Sequence, residues 1–278
     1  MMAYPDSREK RCVDLSHSES YPAGNQAGTA AIAGRTVMHR YALIALVATV
    51  LAMPMTSQAT AQQAGDAYYV VTYIETAPGS RAQTAELIKK FGEASRNDAG
   101  NLRFETLRRI GVPYHFAILE AWKDKAAADA HAAAAHTKTF RDSLNPSLTA
   151  PYDERPHGAL SAAAPKLDAG ARTIYSVTHV DIIPPKKDEG IAATSGLAEP
   201  GRKERGNLRF EVLQQASRPN HMTVVEAWRS RRAQQAHAET AGMKAYRDKL
   251  LPMSGSLYDE RQYRTIGESR ARPRPRKK

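Results

Sequence analysis

Sliding the chain against itself by 106 residues lays 67–155 on 173–261 without a gap, and 32 of those 89 positions are identical. No other feature constrains the fold as much, because whatever one half forms the other must form too. The longest shared run is GNLRFE, at 100–105 and again at 206–211. The remaining identities cluster: Glu120-Ala121-Trp122 meets Glu226-Ala227-Trp228, Ala130-His131-Ala132 meets Ala236-His237-Ala238, and Tyr152-Asp153-Glu154-Arg155 meets Tyr258-Asp259-Glu260-Arg261. Two copies of this length describe a fused pair of domains, since a solenoid needs shorter periods and more repeats.

Each copy has the same grammar. AYYVVTYIET (67–76) is rich in β-branched and aromatic residues and reads as a strand. Pro78-Gly79-Ser80 then opens a helix in which Ala85, Leu87, Ile88 and Phe91 recur at helical spacing. NLRFETLRR and HFAILEAW are two strands joined by a turn containing Gly111 and Pro113. The alanine-rich run 124–144 reads as one long helix, stopped by Asn145-Pro146, and PYDER begins a last extended piece. The order β-α-β-β-α-β is the ferredoxin-like unit. In the second copy Gly190, Gly196, Pro200 and Gly201 weaken the first helix, which is expected to be short or broken. A four-stranded sheet with both helices on one face leaves the other face bare, and a second copy of the same sheet is its natural cover. The expected class is therefore α+β: two fused ferredoxin-like βαββαβ repeats at 62–165 and 166–267.

The flanks read differently. From Met38, basic His39-Arg40 precede thirteen largely apolar residues, Tyr41 to Met53, and a polar stretch ending Ala59-Thr60-Ala61. That is the order of a secretory signal peptide, and the apolar run is too short for the roughly 20 residues that span a bilayer. Residues 1–61 are thus expected to be an upstream extension plus a signal at about 38–61, with Met38 as initiator, cleavage after Ala61, and a periplasmic or secreted product without a stable membrane anchor. The one cysteine, Cys12, lies upstream of the signal, so no disulfide or thiolate chemistry is expected. The net charge of +11 owes much to the last nine residues, RARPRPRKK; residues 62–269 carry only about +4. Residues 268–278 are expected to be a solvated basic tail, and no nucleic-acid module is visible.

GNLRFE, a hairpin, Glu-Ala-Trp, Ala-x-x-Ala-His and an aromatic eight or nine residues on (Phe140, Tyr246) resemble the antibiotic biosynthesis monooxygenase family. The resemblance covers both repeats and implies an intramolecular dimeric α/β-barrel. It also implies oxygenation of quinols or related phenols by O2 with no cofactor. The heme-degrading branch of the same family is a lesser alternative. It would need an Asn on the first strand and a Trp in the second helix, where this chain has Tyr73 or His179 and no Trp.

Strand alternation places Phe116, Ile118, Glu120 and Trp122 on one face of HFAILEAW. A Glu beside a Trp inside a barrel is expensive unless paired or facing a wet cavity. Glu120, Trp122, Glu226 and Trp228 are accordingly expected to line a pocket in each half, the tryptophans as walls for a flat substrate; a tryptophan plug with Glu bonded to Arg is the alternative. His131 and His237 sit among small residues and suit proton transfer at neutral pH, which makes them the candidate bases. Arg103 and Arg209 alternate with Leu102, Phe104 and their counterparts, so they are expected to face the cavity with Glu105 and Glu211. There they either hold a developing phenolate charge or pair with glutamate. Tyr73 and His179 take matched first-strand positions and would make the two pockets unequal. His136, facing Gly242 in the repeat alignment, is discounted, and no metal site is expected because no ligands stand at standard spacing. A small aromatic substrate and O2 are the expected partners, in a monomer with a pseudo-dimeric barrel or a homo-oligomer. The other reading is a non-catalytic barrel that binds a small molecule or serves a stress response.

Overall fold

The β-branched and aromatic run at the start of each repeat forms the strand on which its sheet is built. The computed structural model describes residues 67–163 and 170–266. The signal peptide, the upstream extension and the basic tail read from the sequence lie outside the described residues. The first repeat comprises β1 (Tyr68–Glu75), α1 (Arg81–Ser95), β2 (Asn101–Arg109), β3 (His115–Trp122), α2 (Lys125–Ala133), α3 (Ala135–Leu144) and β4 (Asp153–Ser161). The second comprises β5 (Ile174–Asp181), α4 (Lys187–Ser195), α5 (Ala198–Lys203), β6 (Asn207–Gln215), β7 (His221–Trp228), α6 (Arg231–Ala238), α7 (Ala241–Leu250) and β8 (Asp259–Thr265). Among the described residues, no helix is long and apolar enough to cross a membrane.

The strands close one antiparallel barrel in the order β1-β3-β2-β8-β5-β7-β6-β4. The last strand of each repeat does the closing. β4 pairs with β1 of its own repeat and β6 of the other, while β8 pairs with β5 and β2. Tyr69, Val71, Leu119, Tyr175, Val177 and Val225 fill the inside. Outside it, each repeat packs its helices on its own sheet. Phe104, Ile118 and Trp122 meet Phe91 and Phe140 in the first repeat, and Phe210, Val224 and Trp228 meet Met243 and Tyr246 in the second. Burying one such side chain stabilises by roughly 1.5–3 kcal/mol, which offsets the ordering cost of only one or two residues. Three contiguous apolar layers are therefore needed.

Three local features depart from the sequence reading. The alanine run is not one helix: it breaks at Ala134, whose ψ of 148° is extended. Thr137 Oγ1 donates to the freed His131 carbonyl at 2.7 Å, and the equivalent break in the second repeat falls at Thr240. Packing of α3 and α7 across the sheet overrides alanine's propensity. The first helix of the second repeat is broken as expected, into α4 and α5. Gly190 and Gly201 give clearance there: a Cβ would lie 2.5 Å from Ile182 on the first and 2.5 Å from the Phe210 ring on the second. Second, β2 and β6 both bulge at this leucine, between Asn101 and Arg103 and between Asn207 and Arg209, so neither Leu102 nor Leu208 faces the helices: Leu102 stands 51% exposed and Leu208 is buried with the barrel interior. Third, Glu120 and Trp122 are not inside the barrel. Phe104 lies directly opposite Glu120, and directly opposed residues share a face, so both point at the helices.

The glycine of GNLRFE answers a close approach. Gly100 (φ 82°) and Gly206 (φ 90°) lie in the left-handed region, and a Cβ on either would come within 2.7 Å of Ala127 or Ala233.

Candidate functional site

The outward faces of β3 and β7 each carry a glutamate that the helices seal from water. Glu120 and Glu226 are 5% and 3% exposed. The Trp122 indole N–H donates to Glu120 Oε2 at 2.8 Å, and Trp228 donates to Glu226 Oε2 at 2.6 Å. Burial pushes both carboxyls up to about 8, and the indole bond only partly opposes it. Both glutamates are thus predominantly uncharged acids at neutral pH.

Each histidine lies flat on its tryptophan. His131 stacks on Trp122 at 4.6 Å between centroids, and His237 stacks on Trp228 at 4.6 Å. The tryptophans are therefore not walls for a substrate, because imidazole already covers the face they would offer. A second carboxylate holds each ring from the far side. Asp98 Oδ2 lies 2.6 Å from His131 Nδ1, and Glu204 Oε1 lies 2.8 Å from His237 Nδ1. The carboxylate assigns the proton to Nδ1 and leaves Nε2 as a bare lone pair. Nε2 lies 3.9 Å from Glu120 Oε2 in the first repeat and 3.5 Å from Glu226 Oε2 in the second. His237 Nε2 is buried without a hydrogen bond of its own. Burial lowers the His131 pKa, and its bond to Asp98 only partly restores it. Each repeat thus holds a carboxylate, an oriented imidazole and a neutral carboxylic acid in series.

Asp98 and Glu204 escaped the sequence reading because they differ in length. They occupy equivalent positions, so a search for identity passes over them, whereas a search for a shared carboxylate would have found both.

The other four candidates lie on the opposite side of the sheet. Arg103 Nη2 donates to both carboxylate oxygens of Glu211 at 2.9 Å, and Arg209 Nη1 donates to Glu105 Oε2 at 2.7 Å. The arginine of each GNLRFE grips the glutamate of the other. Burial works to raise the Glu105 carboxyl, but Arg209 and Arg103 outweigh it and hold it below its ordinary value. Tyr73 lies between the guanidinium groups of Arg155 and Arg261, at 4.9 and 5.2 Å. His179 contacts Arg155 at 3.3 Å and His221 at 3.2 Å. The structure therefore joins His131 with Glu120 and Trp122, and His237 with Glu226 and Trp228. Arg103, Arg209, Tyr73 and His179 are joined to neither set.

Access divides the two sets. A cavity of about 400 Å³ opens between the split helix α4–α5 and α7 in the second repeat, lined by Leu197, Glu204, His237, Thr240, Gly242 and Tyr246 among others. The equivalent space in the first repeat is occupied. Phe91, in place of Leu197, stacks on Phe140 at 4.0 Å, and His136 stands where the second repeat has Gly242. A cavity of about 310 Å³ in the first repeat is lined instead by Arg141, Leu144, Tyr152, Glu154 and neighbouring residues, without His131.

The profile of the family described as antibiotic biosynthesis monooxygenase matches residues 67–143 and again 173–249, together more than half of the chain. YcnE of Bacillus subtilis (strain 168), a monooxygenase by name, is 31% identical over 81 residues, which is 29% of this chain and 85% of YcnE. A Fusobacterium nucleatum protein named as a monooxygenase superimposes with a TM-score of 0.66 at 14% identity, over 73% of this chain and 93% of that one. A Lactobacillus acidophilus protein, named likewise, does so with a TM-score of 0.59 at 16% identity, over 72% and 94% of the two chains. At such identities the two solved structures speak for the fold alone.

Proposed function

Because this chain belongs to the antibiotic biosynthesis monooxygenase family, as two of its domains in tandem, we propose that it is a cofactor-independent monooxygenase of a small quinol or phenol, working in its second repeat. The observation that carries the reading is the cavity of about 400 Å³ with the Glu204–His237 pair in its wall. A one- or two-ring phenol fits a space of that size. The phenolic proton goes to the Glu204 carboxylate in the cavity wall, which the His237 Nδ1–H holds in place at 2.8 Å. The phenolate passes one electron to O2, and the two radicals combine at a ring carbon as a peroxide. Loss of water leaves a carbonyl: one oxygen atom stays on the substrate, the other departs in water, and no outside reductant is consumed. Neutral Glu226 lies 3.5 Å from His237 Nε2 and, while it keeps its proton, adds no second negative charge on that side of the ring.

Arg103 and Arg209 drop out of this scheme, since each is engaged across the barrel and lies beyond the sheet from His237. The signal-like order at 38–61 supports export, and an enzyme needing no nicotinamide or flavin would function outside the cell. The test is O2 uptake with a panel of hydroquinones and no added cofactor. His237→Ala is expected to lower it by about 100-fold or more, the usual worth of a positioned base, while His131→Ala leaves it within about twofold. Tight binding of hydroquinones with no turnover would favour a binding protein instead.

A further inference from the structure

Three side chains that the proposed reaction does not use meet at the surface of the first repeat. Asp98 comes from the turn between α1 and β2, His131 from α2 and His136 from α3. In an unbroken helix two residues five apart point about 140° away from each other. The break at Ala134 turns the two rings together instead, with centroids 5.5 Å apart. Asp98 Oδ2 then lies 2.6 Å from His131 Nδ1 and 3.1 Å from His136 Nε2, and one ligand atom from each residue falls within 4.8 Å of the others.

We propose that Asp98, His131 and His136 form a binding site for one divalent transition ion of the zinc class. Two imidazoles and one carboxylate, with a fourth position left to water, are the donor set of a three-ligand zinc centre. Such nitrogen-rich donors favour zinc and its neighbours over magnesium or calcium. Asp98 and His136 are 24% and 31% exposed, so the ion and its water can enter, while His131 at 6% is anchored. Behind the ring, Glu120 Oε2 lies 3.9 Å from His131 Nε2, beyond hydrogen-bond reach but on the side from which a carboxyl orients a metal-bound imidazole. The ion takes the place of the proton on His131 Nδ1, which moves to Nε2 on the side of Glu120, so the imidazole stays neutral as it binds. The second repeat keeps a carboxylate and an imidazole in Glu204 and His237 but has Gly242 in place of His136. It therefore holds no such ion. Nothing in the proposal depends on the oxygenase reaction assigned to the second repeat.

The test uses tag-free full-length protein, stripped with a chelator and titrated calorimetrically with Zn²⁺; Co²⁺ serves as a visible-absorption probe of four-coordinate geometry. One ion per chain is expected, with intense Co²⁺ d–d bands. His136→Gly, which copies the second repeat, and Asp98→Asn should each weaken binding by about 100-fold or more, while His237→Ala leaves it unchanged. Circular dichroism confirms that each variant is folded, and either one suffices if the other is not. Absence of saturable one-to-one binding in the wild-type chain overturns the proposal. So does binding that a folded His136→Gly or Asp98→Asn variant retains.

Discussion

The two repeats share one set of bonds and differ in what surrounds it. Trp, Glu and His repeat with nearly the same geometry in both, down to centroid separations of 4.6 Å for each stacked pair. Around them, Phe91, Phe140 and His136 fill one half where Leu197, Tyr246 and Gly242 open the other. The buried relay is therefore the inherited part and access is the part that diverged. Duplication within one chain permits that divergence, because a substitution in a homodimer strikes both sites at once.

The largest expected effect concerns the barrel, where the two halves are bound to each other. The Arg209 side chain is 2% exposed and that of Arg103 is 18% exposed, although both make the same kind of cross-repeat pair. Arg209→Met takes from Glu105 its 2.7 Å partner and leaves it Arg103 Nε at 3.4 Å and the Tyr175 hydroxyl, and should cost about 3–5 kcal/mol in urea unfolding. Arg103→Met should cost about half as much, and equal losses would show that burial does not set the difference. The carboxyls should behave as a matched pair. Glu120 and Glu226 are both raised by burial from 4.5 to about 8. Between those values the folded state holds protons that the unfolded state has released, so stability is full below about pH 4.5 and falls as pH rises toward 8. Glu120→Gln and Glu226→Gln should each flatten that decline, by about 3 kcal/mol apiece between pH 4.5 and 7; flattening by one alone would break the equivalence of the two relays. The smallest effect concerns access. Leu197→Phe with Gly242→His copies the first repeat into the second and should raise KM for a hydroquinone about tenfold, or about 1.4 kcal/mol. An unchanged KM would mean that the substrate enters elsewhere.

Much of this was legible beforehand. The gapless repeat gave the element order, the pairing of the two sheets and the broken helix at Gly190–Gly201. Alternation correctly grouped Phe116, Ile118, Glu120 and Trp122, but it cannot say which face is inward. That depends on which residue of β2 lies opposite Glu120, a fact of pairing and not of either strand alone. The bulge at Leu102 and Leu208 was hidden for the same reason, and so was their unequal burial, since the sequences at 101–103 and 207–209 are identical. The kink at Ala134 was invisible because alanine favours helix everywhere and only the packing of Phe140 and Tyr246 demands the bend. His136 was set aside for lacking a counterpart. Difference between repeats proved as informative as identity.

β4 and β8, each completing the other repeat's sheet, also determine how the molecule responds to dilution. A barrel assembled from two separate chains comes apart when its concentration falls below the dissociation constant. Here the partner is tethered, so the effective concentration of one half around the other is set by the connecting segment. Closure of this barrel is accordingly a first-order event, which does not wait on an encounter with a second chain. A protein released into a large volume would keep its shape.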